Sequence, residues 1–326
     1  MTRVAVVGAG IMGAAAAWQL TRRGADVTVY EQFELDHARG SSHGRSRIVR
    51  LSYPDPEWVR LAVEARKGWG VLERESGRTV LELYGLVEVA AAPEITSAAG
   101  LAAEGVEYRF LSEAEARRLG VVMPAGATAL LEPSGGIARA DLALDAFLAA
   151  AKTRGARIHA GTPVEDLEAV DADVVVVTAG SWLGRFFPDL PLKVTRETVA
   201  YFRYDGPPPP SVGELDEHRA HALFALHDPL HGLKAGAHHG GAEADPDNTG
   251  EPDDATVERV TAWLRERLPA ADPKPVAMET CLYTTTPDER FILERRGRIV
   301  IGSACSGHGF KFAPLVGARL ADLALA

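Results

Sequence analysis

Two stretches of this sequence carry residue types suited to holding anions. In "GAGIMG", Gly8, Gly10 and Gly13 fit G-x-G-x-x-G between the apolar run "VAVV" and an alanine-rich run. The first glycine permits a tight turn, the second lets backbone approach a pyrophosphate, and the third lets helix and strand pack closely. The helix N-terminus then turns its free N–H groups toward phosphate. Glu31 follows Gly13 by eighteen residues, at the end of the next apolar run, where a carboxylate accepts hydrogen bonds from ribose hydroxyls. The second stretch is "ARGSSHGRSRIVR", which crowds Arg39, Arg45, Arg47, Arg50 and His43 into thirteen positions. In a chain of formal net charge -10 such a cluster is not background, and it predicts a bound anion or anions.

The elements around these stretches read clearly. "RVAVVGAGIMGAAAAWQLTRRGADVTVYE" is strand, glycine turn, helix over Gly10 to Arg23, and strand. "DPEWVRLAVEARKGWGVLERESG" starts with Asp55 as N-cap and Pro56 at the first helical position, and Gly77 ends it. Trp58, Leu61, Ala65, Trp69 and Leu72 form its apolar stripe. "LELYGLVEVA" reads as one strand, and "SEAEARRLG" carries a capping box of Ser112 and Glu115. A helix capped near Asp141 leads to a strand at 156–160, and "DADVVVVTAGSWLG" is a buried strand running into a small-residue turn. "GPPPPSVGELDEH" and the acidic "HHGGAEADPDNTGEPDD" read as surface loops. "DATVERVTAWLRERLP" is an amphipathic helix closed by Pro269, and the chain ends as strand, glycine loop and helix.

With 326 residues, 46% of them hydrophobic, the chain has ordinary globular composition and is long enough for two domains. The pattern predicts an α/β fold: a Rossmann-like FAD-binding domain of residues 1–84, 134–190 and 288–326. Residues 85–133 and 191–287 form an inserted α+β substrate domain with a mainly antiparallel sheet. The acidic balance argues against a nucleic-acid partner, and no run is apolar enough for a membrane span. No leader segment is evident and two cysteines make no disulfide framework, so a cytoplasmic setting is expected. A monomer is the expected state, with an oligomer as the alternative. FAD is favoured over NAD by the basic loop after the second strand, by the small residues of "VVVVTAGSW" around Gly180, and by the return of "SGHGFKF" at the C-terminus.

Four segments together, "GAGIMG", "GSSHGRSRIVR", "CLYTTTPDERFIL" and "SGHGFKFAP", resemble the sarcosine oxidase and N-methyltryptophan oxidase family of D-amino-acid-oxidase-like flavoproteins. The resemblance implies a thioether tether of FAD at Cys281, whereas Cys305 reads as core. It implies that Arg50 and Lys311 grip a substrate carboxylate, and that Arg47, His43 and Ser42 lie beside the flavin with Gly307 and Gly309. Lys234 matches a lysine that activates O2, while His238, Tyr283 and His308 match further active-site positions. Arg39, and Arg45 with it, reads instead as a solvated arginine. The histidines 227, 231 and 239 lack ligand-spaced acids or cysteines, so no metal is expected. The implied reaction is oxidation of a secondary amino acid, N-methyl or cyclic, by FAD and O2 to an imine and hydrogen peroxide. The alternatives are a biosynthetic oxidase or dehydrogenase on a cyclic imino acid or tailored intermediate, and a non-catalytic flavin-binding protein. The sequence departs from the family at 205–231, where "HALFALHDPL" replaces an aromatic-rich hairpin, and this predicts a different side-chain pocket.

Overall fold

The apolar run that begins the chain forms the strand Arg3–Val7, central to a parallel sheet. A computed structural model describes residues 1–90, 95–215, 222–248 and 250–326. Among them the first sheet has six strands, in the order Ile292–Arg296, Ile299–Ser303, Val174–Val177, Arg3–Val7, Asp26–Tyr30 and Arg157–His159. All pairs are parallel except the outermost, Ile292–Arg296 with Ile299–Ser303. Runs such as "VVVV" suit strands covered on both faces. The helices Ile11–Arg22, Ala140–Thr153 and Ala313–Leu325 cover one face, with Ala14 to Ala17 fully buried so that the helices approach closely. Leu183 and Phe187 pack on the other face against Val175, Val177 and Ile301.

The strand Lys193–Tyr204 is the spine of a second sheet, nine-stranded among the described residues. It pairs with Ala271–Thr285 on one side, and with Gly232–Ala237 and Ala242–Glu243 on the other. The sheet continues through Leu223–Asp228, Ser211–Leu215, Leu86–Ala90, Thr128–Glu132 and Arg109–Leu111. Every pair is antiparallel except Ser211–Leu215 with Leu86–Ala90. Helix Asp254–Arg267 lays Val257, Val260, Trp263 and Leu264 onto one face, against Phe202, Leu233 and Ala235. Lys234, of opposite parity to Leu233 and Ala235, points from the other face. A small third sheet joins Ser46–Val49, Gly136–Arg139 and Leu81–Glu82. The α/β class and the mainly antiparallel second sheet are as expected. Among the described residues no helix is long and apolar enough to cross a membrane.

Local signals served well where the chain decides alone. Helix Pro56–Ser76 starts with the Asp55 carboxylate accepting from Glu57 N at 2.9 Å, a cap worth about 1 kcal/mol. It ends at Gly77 with φ 67°. Its buried stripe is Val59, Ala62, Ala65, Trp69 and Leu72, with Trp58 and Leu61 at the margin. The capping box of Ser112 and Glu115 is complete.

Three expectations need correction. "SVGEL" inside the proline-rich stretch is a strand in the sheet interior, not loop; residues 216–221 lie outside the described residues. A five-residue strand after "PPPP" shows too little alternation to be seen without its partners. "LELYGLVEVA" is two strands in different sheets, broken at Gly85 with φ 89°. The helix expected to be capped near Asp141 starts at Ala140 after Arg139, and Asp141 lies in its first turn. The acidic stretch 238–254 is largely irregular and tied down by Trp182 Nε1 donating to Asp247 at 2.9 Å; its Thr249 lies outside the described residues.

Candidate active site

A cavity of about 950 Å³ opens between the two large sheets and collects nearly every residue singled out in the sequence. Gly8, Gly10, Glu31, Ser42, His43, Arg47, Arg50, Gly180, Lys234, His238, Cys281, Tyr283, Gly307, His308, Gly309 and Lys311 line it. Gly13 is the exception and lies beneath. A Cβ there would sit 1.9 Å from Gly8 O, so glycine alone lets the helix begin this close to the strand. Glu31 is 6% exposed and accepts from Ala9 N at 2.7 Å and Phe33 N at 3.1 Å, which fixes the glycine turn to the end of the second strand. Ser42 Oγ accepts from Ile11 N at 3.0 Å, so the basic stretch is fastened to the helix N-terminus.

Within that stretch the arginines divide. Arg47 donates to Ser46 O at 2.9 Å, to Ser41 O at 3.0 Å and to His43 O, curling residues 41–46 around its guanidinium. Burial and the Arg47 charge bring His43 down to about 4, and its Nε2 is buried without a partner. Arg50 donates to Ser52 O and lies 3.7 Å from the Glu88 carboxylate. Glu88 in turn accepts from Ser52 Oγ at 2.7 Å and from Ser97 Oγ. Arg39 is exposed and stacks over Phe33, as a solvated arginine would.

The second sheet supplies the opposite wall. Lys234 pairs with Tyr201 in register, is 6% exposed, and reaches Ser46 O at 3.4 Å. Burial, reinforced by Arg47, brings its ammonium down to about 7 against the pull of Cys281, Glu279 and Asp228. His238, in the turn just past the end of the strand Gly232–Ala237, lines the same cavity as Lys234. Cys281 and Tyr283, two apart on the strand Ala271–Thr285, share a face. Burial raises the Cys281 thiol, while Arg47 and Lys234 oppose that rise. His238 Nδ1 lies 3.4 Å from Tyr283 Oη. Gly307 backs this pair with φ 70°, and a Cβ on it would meet the two rings at 2.3 and 2.5 Å. Cys305, expected in the core, instead lines the cavity and accepts from Thr284 N.

Lys311 is 4% exposed and is held well below the usual lysine range by burial and then by Arg50. Its Nζ donates to His308 O at 2.7 Å and to Tyr53 Oη at 3.0 Å. Among the described residues, the non-glycine positions with left-handed backbone are His239, Glu289 and Ser306. All three border this wall: Glu289 O lies 3.1 Å from His308 Nε2, and Ser306 precedes Gly307. Such strain gathers where side chains must be aimed. Tyr53, Glu88 and Glu132 escaped the sequence reading. Tyr53 lies three residues beyond Arg50, and that proximity was the available signal. No His, Cys, Asp and Glu cluster among the described residues could hold a metal.

Burial lowers three cavity histidines, His43 to about 4, His308 to about 3 and His238 to about 2. Each is neutral when folded but protonates in the unfolded chain as pH falls through about 6.5, so its contribution is complete above that pH and is lost below it. Stability is expected to fall from pH 6.5 to pH 4 by up to about 1.4 kcal/mol per pH unit for each histidine, and the thermal midpoint to fall with it. Midpoints followed by circular dichroism that stay level over this range would contradict the assignment.

A sequence profile of the "FAD dependent oxidoreductase" family matches residues 3–323. This chain belongs to that family. The flavoprotein chain is 33% identical to peroxisomal sarcosine oxidase of Homo sapiens, over 98% of its own length and 91% of the human protein. It is 30% identical to monomeric sarcosine oxidase of Bacillus sp. (strain B-0618), over 99% and 92% of the two chains. Among solved structures it resembles the open form of NikD, described as an unusual amino acid oxidase essential for nikkomycin biosynthesis. The TM-score there is 0.87 at 26% identity, covering 100% of this chain and 94% of that one. The residues present fit FAD. The close-packed glycine turn, the buried Glu31 carboxylate at the second strand end, and the orphaned His43 Nε2 and Ser46 Oγ all border or abut one large cavity.

Proposed function

We propose that this flavoprotein oxidises a secondary amino acid, N-methyl or cyclic, at the carbon beside its amine, giving an imine and hydrogen peroxide. The observation that carries the reading is the pair of cations, Arg50 and buried Lys311, in a cavity that also holds buried Lys234. Residues 1–84, 134–190 and 288–326 serve the cofactor in this reading, and residues 85–133 and 191–287 the substrate. Gly8, Gly10, Gly13 and Glu31 hold the dinucleotide, with Gly180, Ser42, His43, Arg47, Gly307 and Gly309 beside the flavin. Cys281 tethers it through a thioether, with Arg47 and Lys234 favouring the thiolate that burial disfavours. FAD, when bound, supplies the acceptor for a hydride equivalent.

The chain's own residues do the rest. Arg50 offers a planar fork for a carboxylate, and Lys311 adds a point charge. The two cations raise the cost of a protonated substrate amine, and His238 and His308, kept neutral by burial, do not offset that. The neutral amine that results needs no general base. Tyr283 and His238 hold one another against the wall. Lys234 places positive charge where oxygen takes up electrons, an electrostatic role.

A second reading has support in the NikD likeness and in the departure at 205–231: a biosynthetic oxidase acting on a cyclic imino acid. One experiment separates the two. The purified protein is mixed without oxygen with sarcosine, N-methylated aromatic amino acids, proline, pipecolate and primary amino acids while flavin absorbance is followed. Bleaching by one secondary amine is the expected result, and its identity chooses between N-methyl and cyclic substrates. No bleaching by any secondary amine would overturn the reaction class. Yellow colour retained on denatured protein and lost in Cys281→Ser is expected of the tether.

A further inference from the structure

We propose that Tyr53 is the positioning residue of the carboxylate anchor, tying the Lys311 ammonium, the Arg50 guanidinium and the His308 ring into one directed assembly. The inference rests on the reading of Arg50 and Lys311 given above. Glu289 O can only accept, so His308 Nε2, 3.1 Å away, carries the ring hydrogen. Its Nδ1, kept unprotonated by burial, then accepts the phenol proton of Tyr53 at 3.2 Å. Tyr53 Oη is left to accept from Lys311 Nζ at 3.0 Å. The chain of bonds runs one way from Lys311 through Tyr53 to His308 and the backbone. Tyr53 is 6% exposed, and burial raises its phenol to about 12, so the proton this direction requires stays in place.

The same ring serves the second cation. Arg50 Cζ lies 4.2 Å from the Tyr53 centroid, within reach of its π-face. Lys311 has two of its three N–H donors engaged, by Tyr53 Oη and by His308 O at 2.7 Å. The third is free for a substrate oxygen. Trp69 Nε1 donates to Lys311 O at 2.7 Å and fixes the backbone beneath. Trp58 packs edge-on to the His308 ring at 4.8 Å, so that ring cannot turn away. His308 O and Tyr53 Oη together aim Lys311 Nζ, and of the two it is Tyr53 that also meets Arg50, which is why the role falls to it.

Tyr53→Phe keeps the ring and its stack with Arg50 and removes only the hydroxyl. In the flavin-loaded enzyme, the dissociation constant of benzoate, read from the flavin spectrum, is expected to rise about tenfold, the loss of one hydrogen bond to a charged group. KM should rise with it, while the flavin reduction rate at saturating substrate stays within about threefold, because hydride transfer itself uses neither Tyr53 nor its partners. Nitrogen-15 NMR of labelled histidine should show His308 as the Nε2–H tautomer in both proteins, with its Nδ1 resonance moving in the variant toward that of an unbonded ring nitrogen as the Tyr53 bond is lost. A merely structural tyrosine would leave that signature unmoved. Should Tyr53→Phe fail to fold, His308→Gln cuts the same chain one link later and is expected to raise the benzoate constant several-fold. Unchanged benzoate binding and an unmoved His308 Nδ1 resonance in Tyr53→Phe, with Arg50→Met and Lys311→Met still weak, would overturn the inference and leave the anchor standing. Unchanged benzoate binding in Arg50→Met and Lys311→Met would overturn both.

Discussion

Arg50→Met is expected to weaken carboxylate binding about a hundredfold, and Lys311→Met at least tenfold. A hydrogen bond to a charged group contributes about 1.5–3 kcal/mol, and a bidentate fork makes two. The arginine therefore carries more than the lysine. Arg50 also neutralises Glu88, 5% exposed and 3.7 Å away, so its removal leaves a buried carboxylate facing the incoming anion. That repulsion works in the same direction. Arg50→Lys should recover part of the loss by restoring charge without the fork. Lys311 behaves differently because burial holds it well below its ordinary range. An arriving carboxylate restores its charge, so binding takes up a proton and weakens as pH rises. Because both cations meet on Tyr53, the double variant should lose less than the product of the single losses. Titration of benzoate against flavin absorbance measures all of this. Parent-like binding in both single variants would show that the carboxylate lies elsewhere.

The parts of this molecule legible in the sequence are those fixed by short-range chemistry. The G-x-G-x-x-G turn, the Asp55 and Ser112 caps and the glycine stops each depend on a few neighbouring residues, and all stand where their spacing places them. Most cavity residues were found because their segments are individually distinctive. What escaped depends on partners far along the chain. Ser211–Leu215 is a strand only because Leu86–Ala90 and Leu223–Asp228 lie on either side. Glu132 looks like an ordinary strand residue, yet it accepts from Leu51 N and Ser52 N at 2.9 and 3.1 Å and so holds the backbone just past Arg50. Glu88 reaches Arg50 across thirty-eight residues of sequence. These supports belong to the antiparallel sheet, whose register no local pattern announces.

Lys234→Met is expected to slow flavin reoxidation by oxygen by a factor of about a hundred to a thousand, while leaving anaerobic flavin reduction within about threefold. The size follows from removing one preorganised charge from a water-poor site, where such donors are worth about 2.7–4 kcal/mol. Lys234 is suited to that role because the cost of burying it is borne by the fold: it is 6% exposed, with Tyr201 beside it and Ser46 O at 3.4 Å. As the first electron reaches O2, negative charge appears on oxygen, and a cation fixed nearby needs no rearrangement to meet it. Burial gives the prediction a second edge. With the ammonium at about 7, it is charged below that pH and neutral above, so reoxidation should slow as pH rises through about 7. Methionine has no proton to lose, and the variant should lack this slope. Stopped-flow measurement of each half-reaction separates the outcomes. Equal slowing of reduction and reoxidation would make Lys234 a structural residue of the cavity. Intact reoxidation would place the oxygen site elsewhere, and any pH slope that persists in the variant would belong to another buried cation.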